Sequence, residues 1–94
     1  MAVTVSVTSV IQAAVNGQRE FQAEGATLGA LIADIERRYP GFAARIMNEG
    51  GELHRFVNVY LNDEDVRYLK GKETPLRDGD VVSFLPALAG GAGR

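Results

Sequence analysis

The first segment of the chain alternates valines with small hydroxyl residues. Val3, Val5 and Val7 recur at every second position, which is the pattern of a β-strand with one buried face and one polar face. A second alternating segment spans residues 19–24 and follows the turn pair Asn16-Gly17. These two segments are therefore predicted to form a hairpin with a loose connection between its strands.

The pattern then changes to a helical period. Apolar residues follow the i, i+3, i+4, i+7 rule of an amphipathic helix, at Leu28, Leu31, Ile32, Ile35 and Tyr39. Thr27 is placed to cap the start of this helix, and Pro40-Gly41 ends it. A short helical turn is predicted over residues 42–47, before a glycine pair breaks it. The first half of the chain thus supplies two strands and one main helix.

The second half of the chain predicts three further strands. Residues 56–61 are rich in β-branched and aromatic residues and predict a strand, and a brief strand near Val66 to Leu69 follows the turn at 62–65. The last strand spans residues 81–85 and ends at Pro86, which has no N–H to donate. The order β-β-α-β-β-β places one main helix on one face of a mixed sheet of four to five strands and leaves the other face open to a partner. The predicted fold class is α+β, a β-grasp.

Composition limits the function classes that are open to this chain. Its 94 residues are 46% hydrophobic and 23% charged, which describes one compact domain with little room for an internal active site. The net charge of -2, with ten basic residues scattered among twelve acidic ones, provides no basic face for nucleic acid. With no cysteine and His54 as the single histidine, we predict no catalytic residue and no metal site.

The N-terminal residues carry no targeting pattern. A basic segment followed by an apolar one is absent from the start of the sequence, and no apolar run approaches the length that spans a membrane. We therefore expect a cytoplasmic protein that binds no membrane and is a monomer when free.

The end of the sequence is rich in glycine. We predict a β-grasp domain over residues 1–86 and a tail over residues 87–94 that contains Gly90-Gly91. Glycines accept backbone conformations closed to other residues and let another backbone approach closely, as a narrow cleft in a partner requires. From Pro86 to Gly91 the extended tail reaches about 16–20 Å. The alternative is a frayed glycine-rich terminus with no role.

Four motifs resemble one known family. They are Leu53-His54-Arg55-Phe56-Val57-Asn58, Leu61-Asn62-Asp63-Glu64-Asp65-Val66-Arg67, Asp78-Gly79-Asp80 and Phe84-Leu85-Pro86-Ala87-Leu88-Ala89-Gly90-Gly91. Together with the strand order they resemble the ubiquitin-like sulfur-carrier family over essentially the whole chain. The first two motifs are more similar to the actinobacterial cysteine-biosynthesis carriers than to the molybdopterin or thiamin carriers, which stay open as alternatives.

The resemblance implies a carrier that is a substrate of partner enzymes. An E1-like enzyme would adenylate the carboxylate of Gly91 with ATP and convert it to a thiocarboxylate. In the cysteine route, a pyridoxal-phosphate-dependent cysteine synthase and a zinc metallopeptidase would then act, so ATP, pyridoxal phosphate and zinc are expected only on partners. The segment inserted into the partner would comprise Pro86, Ala87, Leu88, Ala89, Gly90 and Gly91.

One feature departs from the family pattern, because Ala92-Gly93-Arg94 follows Gly91. Our hypothesis is that a peptidase, such as the same metallopeptidase, removes these three residues. The alternatives are a cloning remnant and a reading frame that happens to run on.

Leu85, Arg55 and His54 are the candidates for partner docking. Leu85 is placed on the open sheet face if its strand neighbours point inward, whereas His54 is open to a packing role as well. The run Asp63-Glu64-Asp65 is interpreted as a solvated turn rather than a metal site. Two other functions stay open, namely a protein modifier that forms isopeptide bonds through Gly91 and a β-grasp interaction module that never uses its terminus.

Overall fold

The computed structural model describes residues 2–86, apart from the side chains of Ser9 and Val10. Its strands and α-helices within this range are β1 (Ala2–Val7), β2 (Glu20–Glu24), α1 (Leu28–Arg38), α2 (Phe42–Ile46), β3 (Val57–Leu61), β4 (Glu64–Asp65) and β5 (Val81–Pro86). Short 3₁₀ segments lie at Ser9–Val15, Val66–Tyr68 and Gly71–Glu73. The five strands form one sheet in the order β2-β1-β5-β3-β4.

The sheet is mixed, as the sequence predicted. β1 and β5 are parallel and lie side by side, whereas the other neighbouring pairs are antiparallel. The register pairs Val5 with Val82 and Val59 with Phe84, so that buried side chains of adjacent strands point to the same face. The structure is therefore an α+β, ubiquitin-like β-grasp.

Helix α1 lies across the buried face of the sheet. The Thr27 hydroxyl accepts a hydrogen bond from the Ala30 N–H at 3.2 Å and caps the first turn. The predicted apolar stripe is buried at Leu28, Leu31, Ile32 and Ile35. Phe42 on α2 closes the core edge-to-face on Phe84, with ring centroids 5.2 Å apart. The helical prediction is confirmed in its start, its buried face and the short α2 that follows.

The predicted strand near Val66 to Leu69 is wrong. Pairing with β3 occurs two residues earlier, at Glu64–Asp65, because Asn62 adopts the left-handed region at φ 58° and reverses the chain in a tight turn. The Asp65 carboxylate then accepts from the Arg67 N–H at 2.8 Å. This cap turns the chain into a 3₁₀ segment instead of a longer strand.

The β1–β2 connection is more ordered than the loose loop that the sequence predicted. Its 3₁₀ segment Ser9–Val15 buries Ile11 and Val15 in the core. Asn16 and Gly17 follow at φ 60° and 79°, a conformation that asparagine and glycine tolerate best. The Asn16-Gly17 turn is confirmed, and β1 and β2 pair as the predicted hairpin.

The outer edge of β2 is covered by side chains of α1. Arg38 Nη2 donates to the Gln22 carbonyl at 2.9 Å, and the Asp34 carboxylate accepts from the Glu24 N–H at 3.0 Å. Arg38 and Arg37 both pair with Asp34. The Glu24 N–H, followed by the two guanidinium groups, holds the pKa of Asp34 below its ordinary value against the opposing effect of desolvation.

Candidate functional site

The last described strand, β5, ends beside the start of β3. Val57 faces Pro86 in the register of these two strands, and Pro86 is the last described residue. Residues 54–56, which directly precede β3, therefore adjoin the point where the tail begins. We name residues 54–56 together with Leu85 and Pro86 the exit end of the sheet.

An exposed aromatic ring lies at the exit end. Phe56 is 58% exposed, and the guanidinium carbon of Arg55 lies 5.6 Å from the centroid of its ring. The imidazole of His54 contacts the same ring, with centroids 5.6 Å apart and a tilt of 37° between the planes. An arginine over an aromatic face is a favourable cation–π arrangement. The exit end thus presents an apolar ring next to a positive charge.

Arg67 fixes the backbone of this segment. Its Nη2 donates to the carbonyl oxygens of His54 at 3.1 Å and Val57 at 2.6 Å. Its Nη1 donates to Asn58 Oδ1 at 2.9 Å and lies 3.8 Å from the Asp65 carboxylate. One guanidinium therefore ties residues 54–58 to the turn after β4.

The role of Arg67 is absent from the sequence predictions. Arg67 stood there only as the last residue of a family motif. Arg67 contacts residues ten and thirteen positions away in the sequence. Contacts at these separations cannot be predicted from the periodicity of a helix or a strand. The only available indication was that its motif and the motif of residues 53–58 both resemble the same relatives.

Leu85 lies on the open face of the sheet, as predicted. Val82 and Phe84 are fully buried on the opposite face, whereas Leu85 is half-buried. In the register Leu85 faces Asn58, and Ser83 faces Tyr60. The open face is thus largely polar around Leu85, which suits a transient contact better than a permanent interface.

His54 is more enclosed than Arg55. Its side chain is half-buried, and its backbone N–H donates to the Ile46 carbonyl at 2.7 Å. Its Nδ1 atom is buried and has no hydrogen-bond partner among the described residues. Since the ring packs against Phe56, the geometry favours the packing role that the sequence left open for His54.

The acidic run Asp63-Glu64-Asp65 does not form a cluster. The Asp65 carboxylate pairs with the guanidinium and the backbone N–H of Arg67, while Asp63 and Glu64 are exposed. Within residues 2–86, no group of three or more His, Cys, Asp or Glu side chains is arranged to hold a metal ion. No helix in the described range has the length and apolar character needed to cross a membrane.

The predicted tail lies outside the described residues. This applies to Ala87, Leu88, Ala89, Gly90 and Gly91 and to the three residues Ala92-Gly93-Arg94. The domain boundary proposed between residues 86 and 87 and the role of Gly91 therefore stay predictions.

A β-grasp domain with an open sheet face and a C-terminal strand that leads to a Gly-Gly tail defines the class of ubiquitin-like carriers. Within that class the chain belongs to the ThiS family, whose family model matches residues 7–91. The family match therefore extends through Gly91.

Curated relatives include the sulfur carrier protein CysO of Mycobacterium tuberculosis. It is 50% identical over 93 residues, which cover 97% of this chain and all of the relative. Small archaeal modifier protein 3 of Haloferax volcanii is 43% identical over 68 residues, which cover 72% of this chain and 73% of the relative.

Solved structures agree with these relatives. A chain of the crystal structure of the Amycolatopsis orientalis BexX/CysO complex has a TM-score of 0.86 and 45% identity, covering 93% of this chain and 97% of that chain. Since the relatives are named as carriers and modifiers, the chain is a small carrier-type protein and not an enzyme.

Proposed function

We propose that this protein is a sulfur carrier for cysteine biosynthesis, with the sulfur held as a thiocarboxylate on Gly91. The observation that supports the proposal most strongly is the 50% identity with CysO over nearly the whole chain. The family match through Gly91 and the position of the exit end around Pro86, which directly precedes the tail in the sequence, add support.

The chemistry of this role needs an activated carboxylate. A carboxylate repels nucleophiles, so the Gly91 oxygen would first attack the α-phosphorus of ATP on an E1-like enzyme and displace pyrophosphate. Hydrosulfide would then attack the acyl carbon and displace AMP, which leaves a thiocarboxylate. In this scheme the carrier supplies the tail and its docking surface, and the partner supplies the catalytic groups.

The later steps of the proposal belong to other partners. A cysteine synthase with pyridoxal phosphate would hold an activated serine derivative, and the thiocarboxylate sulfur would displace its leaving group. A zinc metallopeptidase would then release cysteine from the carrier by hydrolysis. Neither cofactor is proposed to bind this chain.

The proposal also requires that Gly91 become terminal. In the sequence, Ala92-Gly93-Arg94 follows it, so the peptide bond between Gly91 and Ala92 must be hydrolysed first. The cationic Arg94 side chain is bulkier than a glycine tail that enters a narrow cleft. We assign this cleavage to a metallopeptidase partner.

Protein modification is a second candidate function. The 43% identity with small archaeal modifier protein 3 favours it. In that role Gly91 would form an isopeptide bond to a lysine of a target protein. Molybdopterin or thiamin biosynthesis would use the same thiocarboxylate with a different acceptor.

Intact mass spectrometry of the protein from its native host tests the proposal. We expect loss of Ala92-Gly93-Arg94 and then replacement of one oxygen by sulfur when the activating enzyme, ATP and sulfide are added. The matched control is Gly91→Ala, which should be adenylated poorly. Covalent adducts to other proteins that survive boiling and reduction would support the modifier instead. A full-length, unmodified tail would overturn the carrier proposal.

A further inference from the structure

We propose that Arg55 and Phe56 form a docking platform for the rim of the activating enzyme's tail channel, and that Arg67 is the residue that positions this platform. The expected partner surface is an acidic side chain beside an apolar patch. This inference rests on the proposed function, because it takes the activation of the tail as given.

The location of the platform follows from the length of the tail. Gly91 is the fifth residue after Pro86, which gives the extended tail a reach of about 16–20 Å. An enzyme that receives Gly91 must therefore bring the entrance of its channel close to Pro86. Phe56 immediately precedes Val57, which faces Pro86 in the sheet. The rim of the channel then meets Phe56 and Arg55 before the remainder of the domain.

The exposure of Phe56 is otherwise unexplained by the fold. Its ring is 58% exposed, although the domain has a continuous buried core. Aromatic side chains and arginine are enriched at the centres of protein interfaces. Burial of this ring by a partner removes apolar surface from water, which favours association.

The charge of Arg55 indicates the chemistry of the partner. Among residues 2–86 its guanidinium contacts the Phe56 ring and has no carboxylate partner. Arg37, Arg38 and Arg67 each pair with an aspartate of this chain. Arg55 is thus available to an acidic side chain of another protein, which favours encounter and correct register.

Arg67 keeps the platform in one conformation. The carbonyls that it binds, those of His54 and Val57, lie on either side of the Arg55-Phe56 pair. A planar guanidinium donates to several acceptors at fixed angles, which a lysine ammonium does not reproduce. Holding the segment in place before binding reduces the conformational entropy that is lost on binding.

Steady-state kinetics of the activating enzyme test the platform. The assay measures pyrophosphate release, and the substrate whose concentration is varied is the carrier with Gly91 as its last residue. Phe56→Ala and Arg55→Glu should each raise KM for the carrier about tenfold, the change that corresponds to about 1.4 kcal/mol, and leave kcat unchanged. Tyr68→Ala is the matched control, because Tyr68 is 87% exposed but lies beyond β4. Unchanged KM for both platform variants would overturn the inference.

Arg67→Lys tests the positioning role. It should raise KM several-fold with kcat unchanged, and Arg77→Lys should have no effect. In the unsubstituted protein KM should rise with salt, because salt screens the attraction of Arg55 to an acidic partner. Arg67→Lys should keep this rise, because Arg55 is still present, whereas in Arg55→Glu it should be reversed, because salt then screens a repulsion. A parallel loss of kcat, or a KM equal to that of the unsubstituted protein, would contradict positioning.

A cross-linking experiment separates this inference from the proposed function. A photoreactive phenylalanine at position 56 should capture the activating enzyme, and one at position 68 should not. Capture of a second copy of this chain from position 56 would overturn the platform. If the unsubstituted protein forms no thiocarboxylate, the proposed function fails. If the unsubstituted protein does form a thiocarboxylate and the platform variants have the same KM as it does, only the platform inference fails.

Discussion

Gly25 packs against the backbone of Leu31 so closely that a Cβ atom at position 25 would lie 2.4 Å from the Leu31 nitrogen. The contact is with main-chain atoms, which cannot move aside as the end of a flexible side chain can. Gly25 therefore determines how near the end of β2 approaches the first turns of α1.

Gly25→Ala should destabilise the fold. Relief of the clash requires α1 to shift from the sheet, and overpacking of this kind costs about 1–3 kcal/mol. Urea unfolding followed by circular dichroism measures the change. Gly50→Ala is the control, since its added Cβ would meet only the Asn48 side chain at 3.4 Å. Equal stability of the two variants would disprove the close approach.

Removal of the side chains that cover the β2 edge should cause self-association. In Asp34→Ala/Arg38→Ala the Gln22 carbonyl and the Glu24 N–H lose their partners and can pair with a strand of another copy. Sedimentation velocity over a range of concentrations should show dimers or larger species. Arg37→Ala should stay monomeric, because Arg37 pairs with Asp34 and, within residues 2–86, donates no hydrogen bond to the β2 backbone.

Asp34 should contribute to the pH dependence of stability. Its folded-state pKa lies below the ordinary value of 3.8, chiefly because it accepts the Glu24 N–H. Its contribution to stability is therefore complete above pH 3.8 and is lost as the pH falls through the lower pKa of the folded state. The difference in unfolding free energy between the unsubstituted protein and Asp34→Asn should shrink over that range. A difference that stays constant with pH would contradict this assignment.

Leu85→Lys should weaken activation of the tail without unfolding the domain. Leu85 is half-buried on the open face at the exit end, so a charge there is solvated in the free protein and is buried by a docked enzyme. The measurement is KM for the carrier, alongside thermal unfolding. Val81→Lys is the control at the opposite end of the same strand. If both variants raise KM equally, docking is not centred on the exit end.

Local periodicity predicted most of the architecture. The alternation of Val3, Val5 and Val7 gave a buried strand face, and the stripe from Leu28 to Ile35 gave the buried face of α1. Both patterns depend on neighbours within one element, which a sequence displays directly. The same logic placed Leu85 opposite the buried Phe84.

Local periodicity does not predict contacts between residues that are far apart in the sequence. Arg38 reaches the Gln22 carbonyl across sixteen positions and Arg67 reaches the His54 carbonyl across thirteen. A surface arginine gives no indication in the sequence of which backbone oxygen it will bind. The start of β4 was also missed, because the turn at Asn62 depends on one left-handed residue.

The placement of β5 has a mechanical consequence. This strand is hydrogen-bonded to β1 on one side and to β3 on the other, and the tail continues from its end. Under the proposed function, a partner that pulls on the end of β5 along the strand axis would load both ladders in shear, so that many hydrogen bonds would share the force instead of breaking one after another. The domain can thus transmit tension from its tail without unravelling.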